Sequence, residues 1–241
     1  MAWYFVLLIV LGACAVLVVL SALLYKQFFK RFYDFFLSFL ALIVLSPLLL
    51  VLTVVGAIAM KGNPFFTQRR PGKISKKTKE ERIFKLVKFR TMTNAKDENG
   101  NLLPDEKRLN GYGKFLRKTS LDELPELFNI FIGDMSIIGP RPLLVEYLPW
   151  YTENERRRHS IRPGLTGWAQ VNGRNEVKWD KRLALDVEYV DKLSLKLDVK
   201  IFFMTVLKVL SRKDVEIDTA GEGNLAEIRK AEKEQNEHPS M

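Results

Sequence analysis

Two long uncharged runs dominate the N-terminal quarter of the chain, and everything after them alternates between apolar and polar positions on a much shorter scale. Ala2–Tyr25 carries no charged residue, and because about 20 helical residues cross a hydrocarbon core, it predicts a transmembrane helix. No basic residue precedes it, whereas Lys26, Lys30 and Arg31 follow at once. The bias of basic residues toward the cytoplasm then places the N-terminus outside and Lys26 inside. A signal peptide fits less well, since there is no basic leading segment and no small-residue cleavage pattern.

Phe35–Met60 is the second uncharged run, and its flanks conflict with a simple crossing. Lys26, Lys30 and Arg31 lie before it, while Lys61, Arg69, Arg70 and Lys73 lie after it, so both ends favour the cytoplasm. Ser46-Pro47 falls near its middle. Proline lacks a backbone N–H and crowds the preceding turn, which kinks or breaks a helix. Each arm would be roughly a dozen residues, about 18 Å, short of the ~30 Å core. Length, charge and proline together predict a re-entrant helix that bends at Ser46-Pro47; the competing reading is a kinked full span.

Beyond Met60 the pattern is that of a mixed α/β domain. Ile83–Arg90 is short, apolar and β-branched and reads as a strand. Asp97–Asp105 is turn-rich and reads as a surface loop. Ser120–Phe131 reads as one helix, with Leu121, Leu124, Leu127, Phe128 and Phe131 on one face. Gly133–Pro142 and Arg162–Gly173 are rich in Gly and Pro and read as loops. Leu183–Leu193 and Leu197–Leu210 read as helices, the second apolar enough to lie either in a membrane interface or in the core. The tail from Asp214 has at most a short helical stretch. The expected class is a membrane-associated α/β fold, mostly helical with a small sheet. Its units are a transmembrane helix over 1–25, a re-entrant anchor over 26–60, a cytoplasmic catalytic domain over 61–213 and an acidic tail over 214–241.

Charge sharpens this picture. The formal net charge is +10, and the stretch from Lys61 to Ser120 holds 17 Lys/Arg against 6 Asp/Glu. A basic block beside a membrane segment points to anionic partners such as lipid headgroups or nucleotide phosphates. Cys14 is the single cysteine, and His159 and His238 are the two histidines. An intrachain disulfide and a Cys-rich zinc site are therefore excluded, and a His-based metal cluster or a Ser-His-Asp triad is poorly supplied. The chemistry must rest on carboxylates, Lys and Arg, with a hard metal ion at most.

Thr119-Ser120-Leu121-Asp122-Glu123-Leu124-Pro125-Glu126 is the strongest candidate for it. Ser120 followed three residues later by Glu123 has the form of a capping box. Asp122 and Glu123 would then sit in a first helical turn, where the helix dipole favours ionised carboxylates. Two adjacent carboxylates can divide labour, one attacking phosphorus and the other holding Mg²⁺. Gly139-Pro140-Arg141-Pro142 presents an arginine between two prolines, and a fixed guanidinium fork suits a phosphate as readily as it suits a structural turn. Lys88 and Arg90 alternate on one face of the strand. Arg162–Asn175 mixes glycines, Trp168 and amides, in keeping with a nucleotide-binding loop, although a core role for Trp168 is the commoner outcome.

The ordered set of blocks resembles a known family. Ser46-Pro47, Phe66–Gly72, Lys88–Met92, Thr119–Pro125, Gly133–Ser136, Gly139–Pro142, Arg162–Asn175 and Leu185–Val187 make the stretch from about Phe29 to Arg212 similar to the bacterial sugar transferases, also called monotopic phosphoglycosyl transferases. Within that family the chain looks most like the enzymes that transfer phospho-bacillosamine. The resemblance implies a re-entrant helix, an active site on the cytoplasmic face of the bacterial inner membrane and a two-step, Mg²⁺-dependent reaction. By motif, Asp122 would be the nucleophile on a UDP-sugar and Glu123 would help hold Mg²⁺. Lys88, Arg90, Arg141, Arg174 and Asp186 would surround the substrate, and polyprenyl phosphate would be the acceptor. The expected partners are thus a UDP-sugar, a polyprenyl phosphate lipid and the membrane, without nucleic acid. Two rival readings are a metal-dependent glycosyltransferase, for which no Asp-x-Asp motif is found, and a non-catalytic scaffold that binds anionic lipid or nucleic acid through residues 61–120.

Overall fold

The computed structural model describes residues 2–173, 178–211 and 223–237. Helix α1 spans Ala2–Leu23, and a π-helical turn at Tyr25–Phe29 leads into α2, Lys30–Ala59. Strands β1 (Phe65–Ile74) and β2 (Glu81–Phe89) pair antiparallel, with Phe66 opposite Lys88. Helices α3 (Asp105–Arg108) and α4 (Gly111–Thr119) follow, then a 3₁₀ turn at Leu121–Glu123 and α5, Glu126–Ile132. Strand β3, Ser136–Ile138, pairs in parallel with β4, Gly164–Thr166. Between them lie 3₁₀ segments at Val145–Trp150 and Arg157–Ser160 and helix α6, Glu153–Arg156. Helices α7 (Trp168–Val171), α8 (Trp179–Lys192), α9 (Leu195–Ser211) and α10 (Leu225–Glu237) complete the described chain. The fold is mostly helical, as expected, but has two separate two-stranded sheets where one was expected.

Helix α2 explains much of this arrangement. It has 30 residues, roughly 45 Å of helix at about 1.5 Å per residue. One stripe, recurring every three or four residues, faces the rest of the protein along its full length. Arg31 donates to the carbonyls of Ile130 and Phe131, each at 2.7 Å. Asp34 accepts from the Ser136 hydroxyl at 2.6 Å and the Ile137 N–H at 3.0 Å. Ala41, Leu42 and Leu45 pack on the cluster of Phe84, Leu86, Leu127, Ile130 and Met135. Leu49 and Leu52 pack with Phe89 and Leu116. At the far end Tyr112 donates to the Leu52 carbonyl at 2.9 Å, and Asn110 donates to that of Ala59 at 3.1 Å. The other face exposes Phe32, Phe36, Leu40, Ile43, Val44, Val51, Val54 and Ile58.

The backbone of α2 stays helical across Pro47, where the sequence predicts a break. The local chemistry accounts for the continuity. Pro47 cannot donate to Ile43, the carbonyl one turn back, and the Ser46 hydroxyl donates to that same carbonyl instead, at 2.7 Å. The serine replaces the hydrogen bond that the proline removes.

Helix α9 packs into the core along one face and leaves the other exposed. Ile201 is fully buried with Ile138, Val171 and Tyr189, while Phe202, Phe203, Val206, Leu207 and Leu210 are exposed. Together with the outer face of α2 and with Phe128 and Ile132 of α5, these side chains form an apolar exterior compatible with membrane association. The tail helix α10 docks through Leu225, buried against Leu143, Tyr147 and Leu183.

Candidate active site

The site is built where β2 meets the segment leading into α5. Asn129 fixes that meeting. Its side-chain amide accepts from the Val87 N–H at 3.0 Å and donates to the Lys85 carbonyl at 2.8 Å, so it bonds to β2 as a neighbouring strand would. Asn129 is itself buried, which makes these bonds costly to lose. With α5 held in this register, Glu123 and Glu126 both come opposite Lys88.

The local backbone there differs from the single capped helix that the sequence predicts. Ser120 has φ 55° and closes α4 in the left-handed conformation, and its side chain makes no capping bond. Hydrogen bonds then run from Glu123 to Ser120, Leu124 to Leu121 and Leu127 to Leu124, all three-residue steps. Pro125, which has no N–H to donate, leaves a gap in this run and stands at the N-cap of α5. Glu123 does not reach back to Ser120 because cations elsewhere claim its carboxylate.

Those cations are Lys88 and Arg141. Lys88 Nζ lies 2.8 Å from Glu123 Oε1 and 3.1 Å from Glu126 Oε1, and Arg141 Nη2 lies 2.9 Å from the same Glu123 oxygen. Burial opposes ionisation of Glu123, yet Arg141 and Lys88 hold its carboxyl well below the usual range. Glu126 goes the other way: burial and the charge of Glu123 raise it to about 7, against the pull of Lys88. Asp122 is raised by burial and by Glu123, and no described Lys or Arg forms an ion pair with it. Three carboxylates thus share two cations, and the one without a partner cation is Asp122.

The remaining predicted residues divide. Arg90 lies just past β2, where its guanidinium donates to the Phe65 carbonyl at 3.3 Å rather than to the acidic cluster. Asp186 is buried and ion-paired with Arg158 at 2.6 Å. Arg174 lies outside the described residues. Trp168 is partly buried against the cluster of Ile138, Val171, Tyr189 and Ile201, and donates to Glu188 at 3.2 Å. Three contributors escaped the sequence reading. Glu126 stood in the quoted motif without a role, although its spacing from Glu123 was a usable signal. Arg70, whose guanidinium donates to the Pro142 carbonyl at 3.1 Å, and Arg158 left no local signal.

Among the described residues no group of three or more His, Cys, Asp or Glu side chains is arranged as a metal cage. A pair of adjacent carboxylates nevertheless suits Mg²⁺, which keeps several waters and is commonly held by one or two carboxylates together with substrate phosphates. Asp122 and Glu123 are the residues here that fit that role. Lys88 and Arg141, both in contact with Glu123, add positive charge beside the pair, a setting suited to phosphate oxygens.

Comparison with known proteins bears on this arrangement. Residues 25–212 match the family model described as bacterial sugar transferase. The chain is 48% identical over 187 residues to the sugar transferase EpsL of Bacillus subtilis (strain 168), described as uncharacterised, covering 78% of this chain and 90% of that protein. It is 38% identical over 196 residues to the UDP-glucose:undecaprenyl-phosphate glucose-1-phosphate transferase of Xanthomonas campestris pv. campestris, covering 76% of this chain and 39% of the relative. It is 35% identical over 207 residues to the undecaprenyl-phosphate galactose phosphotransferase of Salmonella typhimurium (strain LT2), covering 78% and 42%. The chain therefore spans about two fifths of these two longer relatives and nearly the whole of the first.

Proposed function

The chain belongs to the bacterial sugar transferase family, and from that premise we propose that it moves a sugar 1-phosphate from a UDP-sugar to undecaprenyl or a similar polyprenyl phosphate, releasing UMP. The observation that carries this reading is the division of labour between the two adjacent carboxylates. Glu123 is committed to Lys88 and Arg141, whereas Asp122 has no described cationic partner and is made more basic by burial. A carboxylate that is basic and unpaired is the better nucleophile.

In the first step Asp122 attacks the sugar-linked phosphorus. The bond from a carboxylate oxygen to phosphorus forms, the bridging P–O bond breaks, and UMP leaves with the bonding pair. In the second step the phosphate oxygen of the lipid attacks the same phosphorus. The Asp122–phosphorus bond breaks, giving a polyprenyl diphosphate sugar and a free Asp122 carboxylate. Glu123 would help hold Mg²⁺, which would supply charge neutralisation when bound. Lys88 and Arg141 orient the phosphates in line and stabilise the charge that develops on the leaving oxygen.

The acceptor phosphate sits at a membrane surface, and the site must sit there too. Both ends of α2 are fastened to the same body, at Arg31 and Asp34 and again at Leu52 and Ala59. Attachment of both ends to one body supports an anchor whose two ends lie on the same side, for which α2 must bend at Pro47 while its backbone stays helical; α1 is then a separate crossing and the site lies on the cytoplasmic side of the inner membrane. The donor is assigned to the UDP-hexose class. Relatives are named for glucose and galactose, while the sequence resemblance favours a bacillosamine derivative.

UMP release from a panel of UDP-glucose, UDP-galactose, UDP-N-acetylhexosamines and a UDP-bacillosamine derivative tests this reading. Multiple-turnover release is expected with one or a few donors, dependent on Mg²⁺ and, beyond one equivalent per enzyme, on undecaprenyl phosphate, and lost in Asp122→Asn. A near-normal rate in Asp122→Asn would remove that residue from the nucleophile's role.

A further inference from the structure

Arg141 stands on a segment with no regular secondary structure, yet the backbone of that segment is fully anchored. The Gly139 N–H donates to the Thr166 carbonyl at 2.8 Å, and the Pro140 carbonyl accepts from the Gly164 N–H at 2.9 Å. The next two carbonyls are held by side chains. Arg158 Nη2 donates to the Arg141 carbonyl at 2.7 Å, and Arg70 Nη1 donates to the Pro142 carbonyl at 3.1 Å. Prolines on both sides further restrict the backbone of Arg141.

Arg158 is the more constrained of the two clamps. It is 1% exposed, and its Nε and Nη2 both reach Asp186 Oδ2, at 3.0 Å and 2.6 Å. Its remaining nitrogen faces the Tyr151 hydroxyl at 3.5 Å and His159 Nε2 at 3.3 Å. A buried ion pair contributes little stability compared with well-packed apolar side chains, and is often kept for what it positions. Here it positions one thing directly, the backbone of the residue whose guanidinium meets Glu123.

We propose that Asp186 and Arg158 are positioning residues for Arg141: Asp186 orients the Arg158 guanidinium, and Arg158 holds the Arg141 carbonyl so that the Arg141 side chain reaches Glu123 and the donor phosphates. This rests on the phosphotransfer reading for its catalytic consequence, but the clamp itself does not. Asp186, placed among the substrate-binding residues by resemblance, thereby acts at one remove. The side chain of Arg141 is 43% exposed and long, so fixing its backbone is the effective way of limiting where its guanidinium goes.

The test is a double-mutant cycle read together with backbone exchange, on the full chain in detergent or lipid discs. Asp186→Asn is expected to lower kcat/KM for the UDP-sugar by about tenfold or more, within the range seen for coupled groups. In an Arg141→Ala background the same change should have almost no further effect. A purely structural role would instead give equal fold losses in both backgrounds, and that result overturns the proposal. Arg158→Lys keeps the charge next to Asp186 but cannot serve both acceptors with a fork, so it should also lose activity while circular dichroism shows the protein still folded at the assay temperature. Hydrogen–deuterium exchange over residues 139–144 is expected to quicken in both variants. Unchanged exchange there overturns the clamp, whatever the activity. Quickened exchange in a protein that releases UMP from no donor would leave the clamp standing and refute the assigned reaction instead.

Discussion

Replacing Glu126 by Gln removes a proton-binding group from the centre of the site but leaves an oxygen that can still accept from Lys88. Glu126 is 3% exposed. Burial and the neighbouring Glu123 raise its carboxyl from 4.5 to about 7, although Lys88 lies only 3.1 Å away. For a carboxyl raised by folding, the native state holds the proton through this window and the unfolded chain does not. Its contribution to stability is therefore complete below about pH 4.5 and is lost as pH rises through about 7. The slope inside the window is about 1.4 kcal/mol per pH unit, so the full loss is on the order of 3 kcal/mol. Urea unfolding followed by tryptophan fluorescence, in nonionic detergent and without Mg²⁺, measures it. The Glu126→Gln protein should gain on the wild type steadily between about pH 5 and pH 8, and the difference should flatten above that. A difference that does not change with pH would refute the claim that Glu126 carries a proton near neutrality.

Asp122→Asn is expected to reduce UMP release by about a thousandfold or more, the scale of losing an essential nucleophile, with an unchanged circular-dichroism melt. Gly164→Ala would place a Cβ 2.1 Å from the Gly139 nitrogen, and forcing the two segments apart should cost about 3 kcal/mol by thermal unfolding and depress activity through Arg141. Ser46→Ala leaves the Ile43 carbonyl without the partner that Pro47 cannot supply, a loss of about 1 kcal/mol that the same unfolding assay can read. A cysteine introduced by Lys61→Cys should react with an impermeant maleimide only in inside-out vesicles; reaction in intact spheroplasts would contradict the re-entrant path of α2.

The elements that the sequence reveals are those governed by near neighbours. The runs Ala2–Tyr25 and Phe35–Met60, the strand around Ile83–Phe89 and the helices near Leu183–Leu193 and Leu197–Leu210 all follow from local periodicity. Continuity across Pro47 was missed because proline was weighed without the hydroxyl of Ser46 beside it. The capped helix at Ser120 failed for a long-range reason: the capping arrangement competes with Lys88 and Arg141 for the Glu123 carboxylate, and the ion pairs prevail. The grouping of Lys88, Asp122, Glu123 and Arg141 could be suspected from their chemistry, but their register depends on Asn129 bonding to Val87 and Lys85, some forty positions away. Arg158 holds Arg141 through a backbone carbonyl. A contact of that kind, made to an atom every residue carries, leaves no mark on residue type at the receiving position.

The fate of the β-phosphorus separates transfer of a sugar phosphate from transfer of a sugar, and it is the most direct test of the proposed reaction. A UDP-sugar labelled with ³²P at the sugar-linked phosphorus would be incubated with the protein, undecaprenyl phosphate and Mg²⁺, then partitioned between organic and aqueous phases. Phosphoglycosyl transfer predicts that the label moves into the organic phase in step with UMP release, and that neither occurs with Asp122→Asn. Sugar-dependent turnover that leaves the label in water as UDP would contradict the reaction assigned to this chain.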